Sequence, residues 1–201
     1  DDCEDLLVLT AHRVESLLLE RDLDYVVLLS SHWLWEASRL MGECEDNPNS
    51  EQMNTYLMLV RDQHPVALNS VTLLDHDGCV EASTNPDRVG DDLSNEPFFA
   101  ESVHGGPHSV IQGDVTADDL GGLTQAIMGP LFLDNAHVGT ILLETNMGWL
   151  AAWAMDYTGL GETGETVFGR LSDDRSTAVF MTPLRFDPHA SLVRTVPMTS
   201  L

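Results

Sequence analysis

An acidic residue stands beside two adjacent aromatic rings in the stretch Ser94-Asn95-Glu96-Pro97-Phe98-Phe99. Two neighbouring rings cannot both face the same core, so one ring, or Glu96 before them, is free to meet another partner. The alternative is structural: Phe98 packs into the core, and Glu96 starts a helix near its positive N-terminal end. The stretch thus raises the question of a binding site.

Catalytic motifs are absent from the sequence. It contains no Gly-x-Ser-x-Gly turn, no His-Glu-x-x-His pair and no phosphate-binding P-loop. Residues 159–164 have the form Gly-x-Gly-x-x-Gly, but they follow a predicted helix rather than a strand, which argues against dinucleotide binding. We therefore predict a chain that is not itself an enzyme.

Metal binding is also not predicted. His104 and His108 are four residues apart, but Gly105-Gly106-Pro107 between them prevents a shared helical face. The three cysteines, Cys3, Cys44 and Cys79, follow no metal-binding spacing. A Cys3–Cys44 disulfide is excluded if one continuous helix joins them, since its ends would lie about 60 Å apart. On this reasoning the cysteines leave the cellular compartment open.

The charge of the chain limits its partners. Thirty-three acidic residues oppose nine basic ones, all of them Arg, which gives a formal net charge of -24. Such a surface repels nucleic acid and anionic lipid. We favour adaptation to a salty milieu, in which screening removes the self-repulsion, over acidity that serves a cationic ligand. No apolar run is long enough for a membrane span and no signal peptide opens the sequence, so we expect a soluble protein or the excised soluble portion of a larger one.

The elements that would position a binding site follow from periodicity and from turn residues. Helical spacing without Gly or Pro predicts one long helix, or two abutting ones, from Cys3 to about Met41, and apolar residues on all sides of its middle indicate packing on a second copy. A short helix, two strands joined by Asp75-His76-Asp77-Gly78, a helical crossing, three strands and a further helix are expected next. The predicted boundaries are 50–64, 66–74, 79–83, 94–104, 108–115, 123–133, 138–145 and 147–157.

This order predicts an α+β fold, in which the long N-terminal helix packs on a five-stranded antiparallel sheet. Strand candidates at 166–171 and 178–181 follow, but about forty residues cannot form another complete sandwich. We predict three parts: the helix at 1–46, a main domain at 47–158 and a partial second module at 159–201.

Several ordered motifs resemble the Cache family of sensor domains, and they cover roughly residues 1–190. The hairpin, the strand end after it and the following loop match first; they read Thr72-Leu73-Leu74-Asp75-His76-Asp77-Gly78-Cys79-Val80, Ala82-Ser83-Thr84-Asn85-Pro86 and Val89-Gly90-Asp91-Asp92-Leu93-Ser94. Later matches are Gly129-Pro130-Leu131-Phe132, Gly139-Thr140-Ile141-Leu142 and the stretch Gly159-Leu160-Gly161-Glu162-Thr163-Gly164-Glu165. The last resembles the hinge that opens the membrane-proximal half of double Cache domains.

The resemblance implies a PAS-like extracytoplasmic domain of a membrane receptor. Such a domain binds a small molecule and signals through its long N-terminal helix, as a homodimer, to a cytoplasmic output. The tail Pro183-Leu184-Arg185 favours a sensor histidine kinase over a chemoreceptor or a cyclic-dinucleotide enzyme. Two alternatives stay open: a structural dimerisation module with a vestigial pocket, and a cytoplasmic PAS domain that holds haem or flavin. We expect no cofactor.

The resemblance also places candidate ligand-binding residues. Where amino-acid-sensing relatives have a carboxylate-binding Arg, this chain has Glu96, followed by Phe98 and Phe99 as the aromatic wall. A Tyr position falls on Gln112, followed by Asp114, and the acid that takes the ligand ammonium falls on Glu144. Loss of the Arg disfavours an α-amino acid or a dicarboxylate as ligand unless another arginine such as Arg88 replaces it, because each Arg-carboxylate contact contributes roughly 1.5 to 3 kcal/mol. These residues predict a cationic or amine ligand.

Overall fold

The structure is a computed structural model, and it describes residues 32–42, 44, 47–96, 99–106, 109–118, 121–172 and 174–198. The helices are α1 His32–Ser38, α2 Ser50–Gln63, α3 Phe99–Val103 and α4 Gly148–Ala154. The main strands are β1 Leu68–Leu74, β2 Val80–Ser83, β3 Ile111–Ala117, β4 Leu123–Leu133 and β5 Ala136–Asn146. Three short strands follow: β6 Gly169–Leu171, β7 Thr177–Phe180 and β8 Thr195–Pro197.

The main sheet has five strands in the order β2-β1-β5-β4-β3, and all its pairs are antiparallel. The predicted α+β fold with a five-stranded antiparallel sheet is therefore confirmed. The β4–β5 hairpin turns at Asp134 and Asn135, whose φ angles of 51° and 66° lie in the left-handed region that Asp and Asn tolerate best. Both residues lie between the predicted strands at 123–133 and 138–145.

The two faces of this sheet bury different residues because side chains alternate along each strand. On the helix face, Val71, Leu73 and Ile141 pack against α1 and α2 through residues such as Leu34 and Leu57. On the opposite face a smaller apolar cluster forms under α3; it consists of Leu74, Val80, Phe99, Met128 and Leu142. The fold thus leaves part of this second face for polar side chains.

The predicted long N-terminal helix falls largely outside the described residues, as do its predicted dimer contacts. Its last part is described, and α1 ends at Ser38, a few residues before the predicted end at Met41. Among the described residues, no helix is both long and apolar enough to cross a membrane.

The C-terminal part forms a three-stranded antiparallel sheet in the order β6-β7-β8. Two of its strands were predicted, and β8 was not. Phe168, Met181 and Leu192 pack against Met147 and Leu150, so the small sheet rests on the α4 end of the main sheet. The division at residues 158 and 159 stays a prediction.

A disulfide joins Cys44 to Cys79, with the Cα atoms 5.9 Å apart. This pairing was not predicted from the sequence, where only Cys3 with Cys44 was considered. Cys79 directly precedes β2, so the disulfide attaches Cys44 to the start of this strand. Disulfides persist mainly in oxidising, extracytoplasmic environments, so this bond favours such a compartment.

Candidate functional site

A group of buried hydroxyl side chains lies on the face of the main sheet that carries α3. The group, here called the hydroxyl face, consists of Ser70, Thr72, Ser83, Ser102 and Thr140. The Thr72 and Ser83 Oγ atoms lie 2.9 Å apart, and Ser102 Oγ lies 3.3 Å from Thr140 Oγ1. A hydroxyl offers one donor and two acceptor lone pairs, so these groups retain hydrogen-bonding capacity for a ligand.

Glu144 and Arg88 stand at the edge of the hydroxyl face. Ser70 Oγ donates a hydrogen bond to Glu144 Oε2, and Arg88 Nη1 lies 3.5 Å from Glu144 Oε1. The side chains of Glu144 and Arg88 are 38% and 26% exposed, so both are in reach of solvent. The site therefore presents one anionic and one cationic group beside a row of hydroxyls.

Arg88 reaches this position from the loop after β2. Residues Pro86–Arg88 form one turn of 3-10 helix, and Asn85 Oδ1 caps it by accepting a hydrogen bond from the Asp87 N–H at 3.3 Å. Arg88 Nε also lies 3.7 Å from Asp91 Oδ2. The guanidinium thus lies between two carboxylates, which hold it over the sheet.

The two aromatic candidates differ in what the structure shows. Phe99 is 6% exposed and packs with Leu74, Met128 and Leu142, so its ring closes the apolar end of the hydroxyl face. Phe98 lies outside the described residues. Glu96 is exposed in the turn before α3, where its N–H donates to Leu93 O at 3.1 Å and its carbonyl accepts from Phe99 N at 3.0 Å.

Gln112 and Asp114 are not brought to Glu144. Gln112 pairs in register with Ile127, which belongs to the helix-face core, whereas Glu144 pairs with Ala126 on the opposite side. Asp114 lies in an irregular part of β3, and its Oδ2 is 2.5 Å from Nη1 of Arg170 on β6. Of the six candidates, Glu144 and Phe99 are the two that the structure places on the hydroxyl face.

The sequence argument missed the hydroxyl face itself. A detectable signal existed, because polar residues alternate with apolar ones in Ser70-Val71-Thr72-Leu73, and because Thr140 and Glu144 lie an even number of positions apart on the same strand. In a strand this spacing places the polar residues on one side. What the pattern could not show is that this side is buried rather than facing water.

Metal-ligating side chains come together at one place among the described residues. Cys44, Asp75 and Cys79 place three ligating atoms within 4.8 Å of one another. Both sulfurs are joined in the disulfide, however, and a disulfide sulfur lacks the thiolate charge that binds metal ions. The cluster is therefore described here as a disulfide with a neighbouring carboxylate.

Comparison with known sequences gives no relatives: no protein-family model and no curated protein matches the chain. Solved structures do match. The sensor domain of the histidine kinase DctB from Vibrio cholerae aligns with a TM-score of 0.53 and 17% identity, over 71% of this chain and 54% of that one.

Two further solved domains match similarly. The sensory domain of Tlp3 from Campylobacter jejuni gives a TM-score of 0.57 at 16% identity, over 75% of this chain and 62% of that one. The ligand-binding domain of Mlp24, solved with asparagine, gives 0.55 at 14% identity, over 87% and 67%. This chain spans little more than half the length of the DctB sensor domain. It has the α+β fold of these sensor and ligand-binding domains.

Proposed function

We propose that this chain is the extracytoplasmic ligand-binding portion of a transmembrane signalling receptor, and that it binds rather than transforms its ligand. The shared fold of kinase and chemoreceptor sensor domains supports this role. The Cys44–Cys79 disulfide supports the compartment. A histidine kinase output, and dimerisation through the N-terminal helix, remain parts of this proposal.

The ligand site that we propose is the hydroxyl face between the sheet and α3. The observation that carries it is the pairing of Arg88 with Glu144 beside buried hydroxyls. Arg88 and Glu144 are both partly exposed and lie next to hydrogen-bonding groups. A ligand can therefore replace the contact between these two side chains with its own contacts to each of them. Phe99 would form the apolar floor, and Phe98 and Glu96 remain candidates for the outer wall.

The ligand class follows from these charges. Glu144 can accept hydrogen bonds from a ligand ammonium, which supports the predicted cationic or amine ligand. Tolerance of a carboxylate is supported by Arg88, whose Nη1 lies 3.5 Å from Glu144 Oε1 and offers a guanidinium beside the ammonium-binding acid. Tlp3 and Mlp24 have been solved with isoleucine and with asparagine. We therefore propose a small amine, with α-amino acids included through Arg88.

Calorimetric titration of the isolated domain tests this proposal. The panel holds simple amines, α-amino acids and carboxylates without an amine. We expect amine-bearing compounds to bind, and Glu144→Gln to weaken them about tenfold or more, since removal of a charged hydrogen-bond partner costs roughly 1.5 to 3 kcal/mol. Arg88→Gln should weaken amino acids more than simple amines.

Matched controls are available on α2, on the other side of the sheet. Arg61→Gln and Glu51→Gln change the same charges at residues that lie away from the hydroxyl face, and they should leave affinity unchanged. Binding of plain carboxylates without binding of amines would contradict the proposed ligand class. If Glu96→Arg leaves ligand preference unchanged, Glu96 is not part of the site.

A further inference from the structure

Glu81 is a buried carboxylate on the edge strand β2, away from the proposed ligand site. Leu73 pairs with Ala82 and Leu74 with Val80, so Glu81 is the extra residue of a β-bulge. A bulge redirects its side chain out of the regular alternation. The Glu81 side chain is fully buried instead of facing solvent as a Glu on an edge strand ordinarily does.

The partners of Glu81 come from the segment that follows the N-terminal helix. Its Oε2 accepts hydrogen bonds from the Gly42 N–H at 2.8 Å and from Asn47 Nδ2 at 2.7 Å. Oε1 is buried and has no hydrogen-bond partner among the described residues. One of the two carboxylate oxygens therefore has hydrogen-bond donors and the other has none among the described residues. Burial of a charged carboxylate that lacks part of its hydrogen bonds is energetically unfavourable.

Five described residues form what we call the clasp, since they fasten the end of α1 to the sheet; they are Leu40, Met41, Gly42, Cys44 and Asn47. Asn47 Nδ2 also donates to Leu40 O at 3.2 Å, which closes the clasp on itself. Cys44 is bonded to Cys79 beside β2. The Met41 methyl group lies close to Gly139 on β5. A β-carbon at Gly139 would collide with this methyl group and with the Leu74 carbonyl oxygen.

Other ionisable groups face Glu81 from the neighbouring turns. In the β1–β2 turn, the charge of Asp75 raises the pKa of Glu81 and that of His76 lowers it. The His76 ring lies 4.9 Å from that of His137 on β5. Three further acids, Glu43, Glu45 and Asp46, lie outside the described residues.

We propose that Glu81 makes the clasp a proton-sensitive joint, through which the domain reads pH independently of its small-molecule ligand. A proton taken from water binds Oε1, which has no donor among the residues that the structure describes, while Oε2 keeps both hydrogen bonds to the clasp. The buried charge is then removed and the clasp is closed. When Glu81 ionises, Oε1 needs hydration, and water can reach it only if the clasp opens.

The direction of the pH effect follows from burial. Burial raises the pKa of Glu81 above its ordinary value of 4.5, Asp75 adds to the increase, and the hydrogen bonds from Gly42 and Asn47 oppose it. The folded state then holds this proton more tightly than the unfolded chain does. Its contribution to stability is complete below pH 4.5 and is lost as the pH rises through the raised pKa.

His137 has the opposite effect on stability. Burial, followed by repulsion from His76, lowers the pKa of His137 below 6.5. The unfolded chain then binds the His137 proton more tightly, so this group favours folding as the pH rises. The sign of the pH dependence therefore distinguishes Glu81 from the histidine pair.

The Cys44–Cys79 bond offers a reporter of clasp opening. We would measure its rate of reduction by a phosphine between pH 5 and 8, normalised to the rate for oxidised glutathione under the same conditions. We expect the normalised rate to increase with pH, by up to about tenfold for each unit by which the Glu81 pKa is raised. In Glu81→Gln this increase should be absent, whereas Glu101→Gln, an exposed acid on α3, should behave as the wild type.

A carboxyl NMR titration of the wild-type domain is a second test, and it does not depend on whether Glu81→Gln folds. The proposal predicts that Glu81 titrates above its ordinary value and that the amides of residues 40–42 shift with the same midpoint. Titration of Glu81 at or below 4.5 would overturn it. An unchanged pH dependence of disulfide reduction in Glu81→Gln would also overturn it.

Discussion

At the scale of single residues, Phe99 joins the proposed ligand site to the core. Its ring is 6% exposed and packs with Leu74, Val80 and Met128. We expect Phe99→Ala to lower the free energy of unfolding by about 3 to 5 kcal/mol, because deletion of a buried ring removes apolar burial and leaves a cavity. Denaturant unfolding followed by circular dichroism measures this change.

Phe186→Ala is the matched control, since that ring is 72% exposed. The same substitution there should change the free energy of unfolding by less than about 0.5 kcal/mol. Equal losses for the two variants would contradict the placement of Phe99 in the core.

At the scale of elements, the disulfide fixes the clasp to the edge of the sheet. Cys44 and Cys79 are 35 residues apart, and closing a loop of this length restricts the unfolded chain. We expect the double variant Cys44→Ser, Cys79→Ser to lose about 2 to 4 kcal/mol of stability. Unfolding with and without a reducing agent checks this: the reductant should destabilise the wild type and leave the double variant unchanged. Insensitivity of the wild type would contradict the bond.

The elements were also what the sequence predicted best. Helix α2, strands β1 and β2 and the β4–β5 hairpin follow from local alternation and from turn residues such as Gly78 and Asn135. The Arg88–Glu144 pair joins residues 56 positions apart and depends on the order of the strands, so no local pattern could establish it. Glu81 resembled a solvent-facing strand residue, because its burial results from a bulge and from a segment that crosses the sheet.

At the scale of the whole molecule, the net charge of -24 opposes the folded state by self-repulsion. Added salt screens this repulsion, since the Debye length falls from about 10 Å at 0.1 M to about 3 Å at 1 M. We expect the thermal unfolding midpoint to rise between 0.1 and about 2 M sodium chloride, the range over which screening is completed. A neutral osmolyte at equal osmolarity should produce a smaller rise. Equal effects of the two would contradict a screening mechanism.

In the whole molecule, the two proposed sites lie in different places. The hydroxyl face with Arg88 and Glu144 lies under α3, whereas the clasp and Glu81 lie where α1 meets the edge of the sheet. Both sites contact β2 or the loop after it. A ligand and a proton would therefore act on the same edge strand, next to the helix that is proposed to carry the signal.

The central claim is that a small amine binds on the hydroxyl face, and a crystal structure of the domain with the tightest compound from the titration panel tests it most directly. We expect ligand density between the sheet and α3, with the ligand nitrogen within hydrogen-bonding distance of the Glu144 carboxylate and with the Arg88–Glu144 contact rearranged. Ligand density elsewhere, with Glu144 still held only by Ser70 and Arg88, would contradict it.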